Sequence, residues 1–236
     1  MTLATAPRSD QDDALPALIR LAGDRFTCRA YRTDPVDRAT IGAIADLAQR
    51  TASWCNVQPW QLVITSGAGT ERFRAALSAH AASHTGIDSD FAFPEEYRDI
   101  YLARRREAGF QLYNALGIGR GDKAAYARQS FENFRLFGAP HVAIVTTPAE
   151  LGPYGAVDCG AYVGLFLLAA QAHGVATTPQ AALARHAGFI RRHFGIGEER
   201  KVVCGIAFGH ADRDHAANSY RTTRARTEDA VCWVDD

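Results

Sequence analysis

Two arginines and a hydroxyl lie close together near the start of the chain. Arg25, Thr27 and Arg29 occur in the segment RFTCRAY, just before a predicted helix. A guanidinium fork matches the oxygen atoms of a phosphate, and a hydroxyl adds a further hydrogen-bond donor. The segment therefore indicates a phosphate site. A basic turn that is simply solvated gives the same pattern, and the spacing alone leaves both interpretations open.

A second polar segment, SWCNVQPW at residues 53–60, joins a predicted helix to a predicted strand. Its Ser53, Asn56 and Gln58 side chains carry hydrogen-bond donors and acceptors. They suit a ligand rich in carbonyls, ring nitrogens and hydroxyls. An ordinary turn that ends at a proline is the alternative interpretation.

A third segment, TTPQA at residues 177–181, follows a long apolar helix. We predict a turn here, in which Gln180 and Ala181, which follow Pro179, present backbone N–H groups to a ligand. Most turns of this composition have only a structural role, so this segment carries little weight by itself.

Hydrophobic periodicity predicts the elements that position these segments. Asp37 caps a helix that contains Ile41 and Ile44. Further helices are predicted over 70–83, 95–116, 122–137, 158–173 and 184–194, and strands over 60–65, 141–147 and 201–208. Helices outnumber strands and do not alternate regularly with them, which predicts an α+β fold with helices packed on one central sheet. We expect a flexible arm over residues 1–14 and one domain over 15–236.

Composition excludes several classes of protein. The formal net charge is +0, which favours neither nucleic acid nor an anionic membrane as partner. None of the cysteines forms a C-x-x-C pair, so we expect reduced thiols and a cytoplasmic protein. The apolar run 161–172 is too short to cross a bilayer. His80 and His84 have the spacing of a metal pair, but no nearby Cys or Glu completes it, and we expect no metal. No dinucleotide fingerprint follows a strand.

In order and spacing, the three polar segments resemble the nitroreductase family of flavoproteins. That family has N-terminal R-R-S-x-R-x-F and later P-S-x-x-N-x-Q-P-W patterns. The chain also carries FRLFGAP at 134–140, Asp158-Cys159-Gly160 at the apolar helix, GVATTP at 174–179, and Arg221 and Arg224 near its end. The resemblance runs from about residue 25 to residue 234.

The resemblance implies a three-layer sandwich with a central, mostly antiparallel sheet flanked by helices, assembled as an intertwined homodimer. It implies an FMN-dependent oxidoreductase that passes reducing equivalents from NADH or NADPH to a nitroaromatic, quinone or similar small molecule in ping-pong turnover. No side chain is needed as an obligatory acid or base, so we name no catalytic residue. Two alternatives remain: a non-enzymatic FMN-binding or sequestering protein, and a flavin-consuming or dehalogenating relative.

The resemblance also implies roles for individual residues. Arg25, Thr27 and Arg224 hold the FMN phosphate, with Arg221 as a second candidate. Arg29 reaches the ribityl chain and the pyrimidine side of the ring. The partner subunit supplies Ser53, Asn56 and Gln58. The segment Pro179, Gln180 and Ala181 lies against the isoalloxazine, with a backbone N–H near N5.

The chain departs from the family pattern at several positions. Phe26 replaces the usual Arg or His within the cofactor-binding segment, which removes one polar contact. Trp54 stands where the family often has a small residue. We expect Trp54 to touch the cofactor and to narrow or cover a substrate pocket that Phe110 and Tyr113 also line.

Overall fold

The computed structural model of the chain describes residues 11–235, so residues 1–10 of the predicted flexible arm lie outside the described residues. Helix α1, Gln11–Asp24, takes up the rest of that arm and was not predicted. Its apolar residues Leu15, Leu18 and Ile19 have helical spacing, but Pro16 inside the helix hides the pattern.

The sheet has four strands, and every neighbouring pair is antiparallel. The strands are β1 (Gln61–Ile64), β2 (His141–Pro148), β3 (Ala176–Gln180) and β4 (Arg200–Gly209), in the order β1-β2-β4-β3. β2 and β4 lie at the centre and are the most continuously apolar, because helices cover both of their faces. The predicted α+β fold with a central antiparallel sheet is confirmed.

Helices form the two outer layers. After α1 come α2 (Arg38–Ala48), α3 (Ala68–Ser83), α4 (Asp99–Ala115), α5 (Lys123–Phe131), α6 (Gly152–Ala172), α7 (Ala181–Ala184) and α8 (Ala187–Phe194). Alternate residues of β2 enter two different cores: Val142 and Ile144 pack with α3 and α8, whereas Ala143 and Val145 pack with α2 and α6. One sheet therefore separates two hydrophobic cores, which is the predicted three-layer arrangement.

Two predicted elements are wrong in type or extent. The helix predicted over 122–137 ends at Phe131, and it cannot extend to residue 137 because Leu136 and Phe137 adopt left-handed φ values of 57° and 52°. The predicted turn 177–181 is instead largely strand β3. Pro179 is tolerated there because β3 is an edge strand, paired only with β4.

The remaining predicted elements differ at their bounds. The helix predicted over 184–194 is α8, which begins only at Ala187, whereas residue 184 ends the separate short helix α7. The helix predicted from residue 158 begins earlier, at Gly152. With its preceding turn, α6 is long and apolar enough to cross a bilayer, judged by length and composition alone. The prediction that the apolar run is too short considered only residues 161–172. It packs against α2, β2 and β3, and Phe166 and Ala170 are fully buried, as in the core helix of a soluble protein.

Candidate functional site

The segment that contains Arg25 and Arg29 is held in an extended conformation between two other parts of the chain. On one side, Thr27 forms a parallel bridge with Thr177, and the Cys28 amide donates to the Thr177 carbonyl at 3.0 Å. On the other side, Tyr31 forms an antiparallel bridge with Ala211. The edge of β3 and the segment after β4 thus fix where both arginines lie.

The two ends of the described chain meet in one cleft of about 220 Å³. The N-terminal segment and the C-terminal segment each contribute four of the residues that line it: Arg25, Phe26, Thr27, Arg29, Tyr220, Arg221, Thr222 and Arg224. Every residue that the resemblance assigned to the phosphate side of the cofactor is therefore present in a single cleft.

The cleft concentrates positive charge. None of the four arginines in it forms an ion pair with a carboxylate of the described residues. Burial, and then the nearby charge of Arg224, lowers the pKa of Arg25 from its ordinary value. Like charges held together without counter-charge favour binding of an anion, and guanidinium groups with the Thr27 hydroxyl suit a phosphate. The donor set in this cleft fits the phosphate of FMN.

Phe26 supports an arginine of the cleft. The guanidinium carbon of Arg221 lies 4.0 Å from the centre of the Phe26 ring. Arg221 Nη1 also donates to the carbonyls of Asn218 and Tyr220, at 2.8 and 2.7 Å. The expectation that Phe26 only removes a polar contact is thus incomplete, because the ring gives a cation–π platform to Arg221.

Arg29 has a partner that sequence reasoning missed. Its Nη1 atom donates to the Tyr220 hydroxyl at 2.8 Å, and its guanidinium carbon lies 5.9 Å from the centre of the Tyr220 ring. Burial raises the pKa of Tyr220, so the phenol stays protonated at neutral pH. Asn218, also missed, binds the main chain of Arg29. The only feature of the sequence that could have pointed to Asn218 and Tyr220 is that they lie close to Arg221 along the chain.

The second predicted segment forms an exposed loop outside this cleft. The Gln58 amide donates to Ser53 Oγ at 2.9 Å, and Gln58 Nε2 donates to Asn56 Oδ1 at 3.2 Å. Asn56 and Gln58 adopt left-handed φ values of 55° and 47°. The Trp54 amide donates to Asp158 Oδ1 at 3.2 Å, which ties the loop to α6. Within one chain these side chains do not line the arginine cleft.

Trp54 is 62% exposed and packs edge-on against Tyr154, with ring centres 4.9 Å apart. The other two predicted pocket residues lie on α4. Tyr113 stacks on Tyr126 at 4.3 Å, and Phe110 lies 5.1 Å below the guanidinium carbon of Arg120. None of the three predicted pocket residues lines the arginine cleft of its own chain.

The third predicted segment lies at the junction of β3 and α7. Gln180 is 2% exposed, and its Nε2 atom donates to the Asn133 carbonyl at 2.8 Å. Its Oε1 atom has no hydrogen-bond partner among the described residues. Pro179 is half-buried and Ala181 is exposed. The Gln180 side chain is thus turned into the protein, so a ligand at this junction meets backbone atoms, Pro179 and Ala181.

Comparison with known proteins assigns the family. Residues 22–210 match the model of the nitroreductase family. Nitroreductase NfnB of Mycolicibacterium smegmatis is 37% identical over 227 residues, which is 95% of this chain and 96% of that protein. A 4-nitrobenzoate reductase of Pseudomonas putida is 30% identical over 86% of this chain and 89% of its own length.

The solved structures agree. The crystal structure of the FMN-dependent nitroreductase NfnB from Mycobacterium smegmatis, in complex with NADPH, matches with a TM-score of 0.89 and 35% identity, over 94% of this chain and 100% of that chain. This α+β protein with an arginine-lined cleft belongs to the nitroreductase family.

Proposed function

We propose that this chain is an FMN-dependent nitroreductase that uses NADPH to reduce a nitroaromatic compound. The observation that carries the proposal is a cleft in which four arginines converge, none paired with a carboxylate of the part of the chain that the structure describes, in a chain of the nitroreductase family. The similar structure named above is FMN-dependent and was solved with NADPH, and a relative reduces 4-nitrobenzoate. A quinone is the second class of oxidant that the proposal includes.

Arg25, Thr27 and Arg224 hold the FMN phosphate, and Arg221 adds its charge from its position on the Phe26 ring. When bound, FMN supplies hydride transfer between the nicotinamide and the oxidant. The protein contributes binding, orientation and charge.

Arg29 acts from the pyrimidine side of the cofactor. Its guanidinium is fixed by the Tyr220 hydroxyl. A fixed positive charge there stabilises negative charge that develops on the cofactor, and needs no reorganisation when it does so. No side chain of the cleft has to transfer a proton, so the proposal assigns no catalytic acid or base.

The proposed active unit is a homodimer. Ser53, Asn56 and Gln58 belong to a largely exposed loop, and they do not line the arginine cleft of their own chain. Soluble monomers rarely expose large apolar patches. This chain exposes apolar side chains on three helices and on the C-terminal segment: Leu15, Leu18, Ile19, Ile100, Tyr101, Tyr154, Val157, Trp233 and Val234. A second copy of the chain covers these side chains, and its loop completes the arginine cleft. Since every cysteine of the chain is free, we place the dimer in the cytoplasm.

The test begins with the purified protein. We expect it to be yellow and to release FMN on denaturation. Anaerobic mixing with NADPH in a stopped-flow spectrometer should bleach the flavin absorbance rapidly, and 4-nitrobenzoate should restore it.

The contrary results separate the alternatives. A colourless protein that ignores added FMN, or one that releases mainly FAD, contradicts the cofactor assignment. Bound FMN that NADPH does not bleach supports the sequestering protein. Rapid bleaching without reoxidation by nitroaromatics or quinones points to a different member of the same fold.

A further inference from the structure

Asn218 is a buried amide whose side chain is fully engaged. It is 4% exposed and lies at the end of the short 3-10 helix Ala216–Asn218. Its Oδ1 atom accepts from the Arg29 amide at 2.8 Å. Its Nδ2 atom donates to the carbonyls of Ala30 and Asp212, at 2.9 and 2.7 Å. Three hydrogen bonds from one buried side chain fix the two chain segments relative to each other.

The Asn218 side chain takes the place of a peptide group. The segment after β4 pairs with the N-terminal segment through two backbone hydrogen bonds: from Arg32 to His210 at 2.8 Å, and from Asp212 to Ala30 at 3.1 Å. The backbone ladder stops at Ala30. Because a side-chain amide has the same donor and acceptor groups as a peptide, Asn218 extends the ladder by one step, to the main chain of Arg29.

The same short segment also holds the other end of Arg29. The Tyr220 hydroxyl accepts from Arg29 Nη1 at 2.8 Å, two residues after Asn218. The Asn218 carbonyl in turn accepts from Arg221 Nη1 at 2.8 Å. Residues 218–220 therefore fix the backbone of Arg29 and its guanidinium, as well as the neighbouring Arg221.

We propose that Asn218 and Tyr220 are positioning residues for the cofactor site, Asn218 through the main chain of Arg29 and Tyr220 through its guanidinium. The proposal rests on the proposed function, since it requires FMN in the arginine cleft. Asn218 sets where the main chain at Arg29 and Ala30 lies, and so governs part of the affinity for FMN. Tyr220 sets where the charge of Arg29 lies, and so governs how much more tightly the reduced cofactor binds than the oxidised one.

The decisive variant is Tyr220→Phe, which removes one oxygen atom from a half-buried ring. We expect the Kd for oxidised FMN to change by less than about threefold. The ratio of affinities for reduced and oxidised FMN should fall by about 3- to 10-fold, because Arg29 is no longer held. A tenfold fall lowers the two-electron midpoint potential by about 30 mV.

A double-mutant cycle shows whether Tyr220 acts through Arg29. In an Arg29→Ala background, Tyr220→Phe should shift the midpoint potential no further, since the group that it positions is gone. An equal shift in both backgrounds contradicts the proposal, as does an unchanged potential in Tyr220→Phe itself.

Asn218→Ala tests the proposal that Asn218 positions the main chain of Arg29. We expect about a 10-fold rise in the Kd for oxidised FMN, because the main chain of Arg29 loses the side-chain amide that holds it at the cleft. The matched control is Thr70→Val, which removes a buried hydrogen bond between Thr70 and Thr65, 2.8 Å in length and outside the cleft. The control should lower the Tm of the apoprotein but leave the Kd and the potential unchanged.

The outcomes are separable. If the wild-type protein does not bind FMN, the proposed function fails before any variant is measured. If it binds FMN, and Asn218→Ala lowers only the Tm as the control does, Asn218 has a structural role alone and the proposal is overturned for it. If Asn218→Ala does not fold, Tyr220→Phe and its cycle with Arg29→Ala decide the proposal.

Discussion

The guanidinium carbon of Arg221 lies 4.0 Å from the centre of the Phe26 ring, and this contact joins two segments that are 195 positions apart in sequence. A charged group near the end of the chain rests on an apolar ring near its beginning. The contact orients Arg221 toward the cleft that Arg25 and Arg224 also line. The assembly of the cleft thus depends on a residue that cannot itself bind phosphate.

Phe26→Leu should weaken FMN binding without unfolding the protein. A cation–π contact contributes about 0.5–2 kcal/mol, so the loss of the ring should raise the Kd by about 2- to 30-fold. Phe26→Tyr keeps the ring and serves as the control, with a Kd near that of the wild type. Titration of the apoprotein with FMN, followed by quenching of flavin fluorescence, measures both. Equal affinities for the wild type and Phe26→Leu would show that the ring does not orient Arg221 in solution.

Arg224→Ala should remove a direct phosphate contact. A hydrogen bond to a charged group contributes about 1.5–3 kcal/mol, so the Kd for FMN should rise by about 10- to 150-fold. The matched control is Arg226→Ala, since Arg226 is exposed, pairs with Glu228 and lies outside the cleft.

Salt provides a second measurement of the same contact. Because screening weakens charge–charge attraction, the Kd of the wild type should rise with ionic strength more steeply than that of Arg224→Ala. Equal Kd values for Arg224→Ala and Arg226→Ala would contradict the assignment of Arg224 to the phosphate site.

Trp54→Gly should broaden the range of oxidants that the enzyme accepts. The ring is exposed in the single chain and packs edge-on against Tyr154, and this prediction requires the proposed dimer to bring it beside the substrate. Steady-state kcat/KM for small and large nitroaromatics measures the change, with Tyr154→Leu as the control for loss of the ring contact alone. If kcat/KM is unchanged for oxidants of every size, Trp54 faces away from the pocket.

Alkaline pH should destabilise the fold through two thiols, that of the buried Cys159 and that of the half-buried Cys204. Burial raises the pKa of Cys159 to about 11 and that of Cys204 to about 12, from an ordinary value of 9.0. The unfolded chain therefore loses these protons first as pH rises. The stabilisation is fully present below pH 9 and is lost as the pH rises toward 11–12.

Denaturant unfolding between pH 8 and pH 11 measures this loss. Each thiol should contribute about 2–3 kcal/mol of lost stability at pH 11. Cys204→Ala should reduce the dependence of the free energy of unfolding on pH in this range. The same pH dependence in the wild type and the variant would contradict the assignment to Cys204.

The sequence predicts an element correctly where the pattern that defines it lies within a few neighbouring residues. β2 and β4 were predicted because continuous apolar runs form their buried strands, and α2 was predicted because Asp37 caps it, accepting from the Thr40 amide at 2.8 Å. β3 was missed because Pro179 argues against a strand, and only its edge position makes proline acceptable. The predicted extension of α5 to residue 137 is wrong because Leu136 and Phe137 are left-handed, and composition does not reveal left-handed residues other than glycine.

Sequence reasoning predicted only those site residues that match a motif of the nitroreductase family. Asn218 and Tyr220 bind Arg29 from 189 and 191 positions away, so no local signal links them to it. The loop of Ser53, Asn56 and Gln58 is likewise a binding element only if another copy of the chain brings it to a cleft. The contacts of Asn218 and Tyr220 arise only when the chain folds, and those of the loop arise only when two chains assemble.

A mixing experiment tests the central claim, that an FMN site is built from the arginine cleft of one chain and the loop of another. Arg29→Ala and Asn56→Ala chains are each prepared with low activity, then mixed in equal amounts and allowed to exchange subunits through mild denaturation. In a mixed dimer one site carries both substitutions and the other carries neither.

About half of the dimers should then be mixed, each with one intact site, so the account predicts recovery of about a quarter of the wild-type activity. Mass spectrometry of intact dimers confirms that exchange has occurred. A mixture that stays inactive after confirmed exchange, or a wild-type monomer by light scattering with full FMN occupancy, would contradict the shared site.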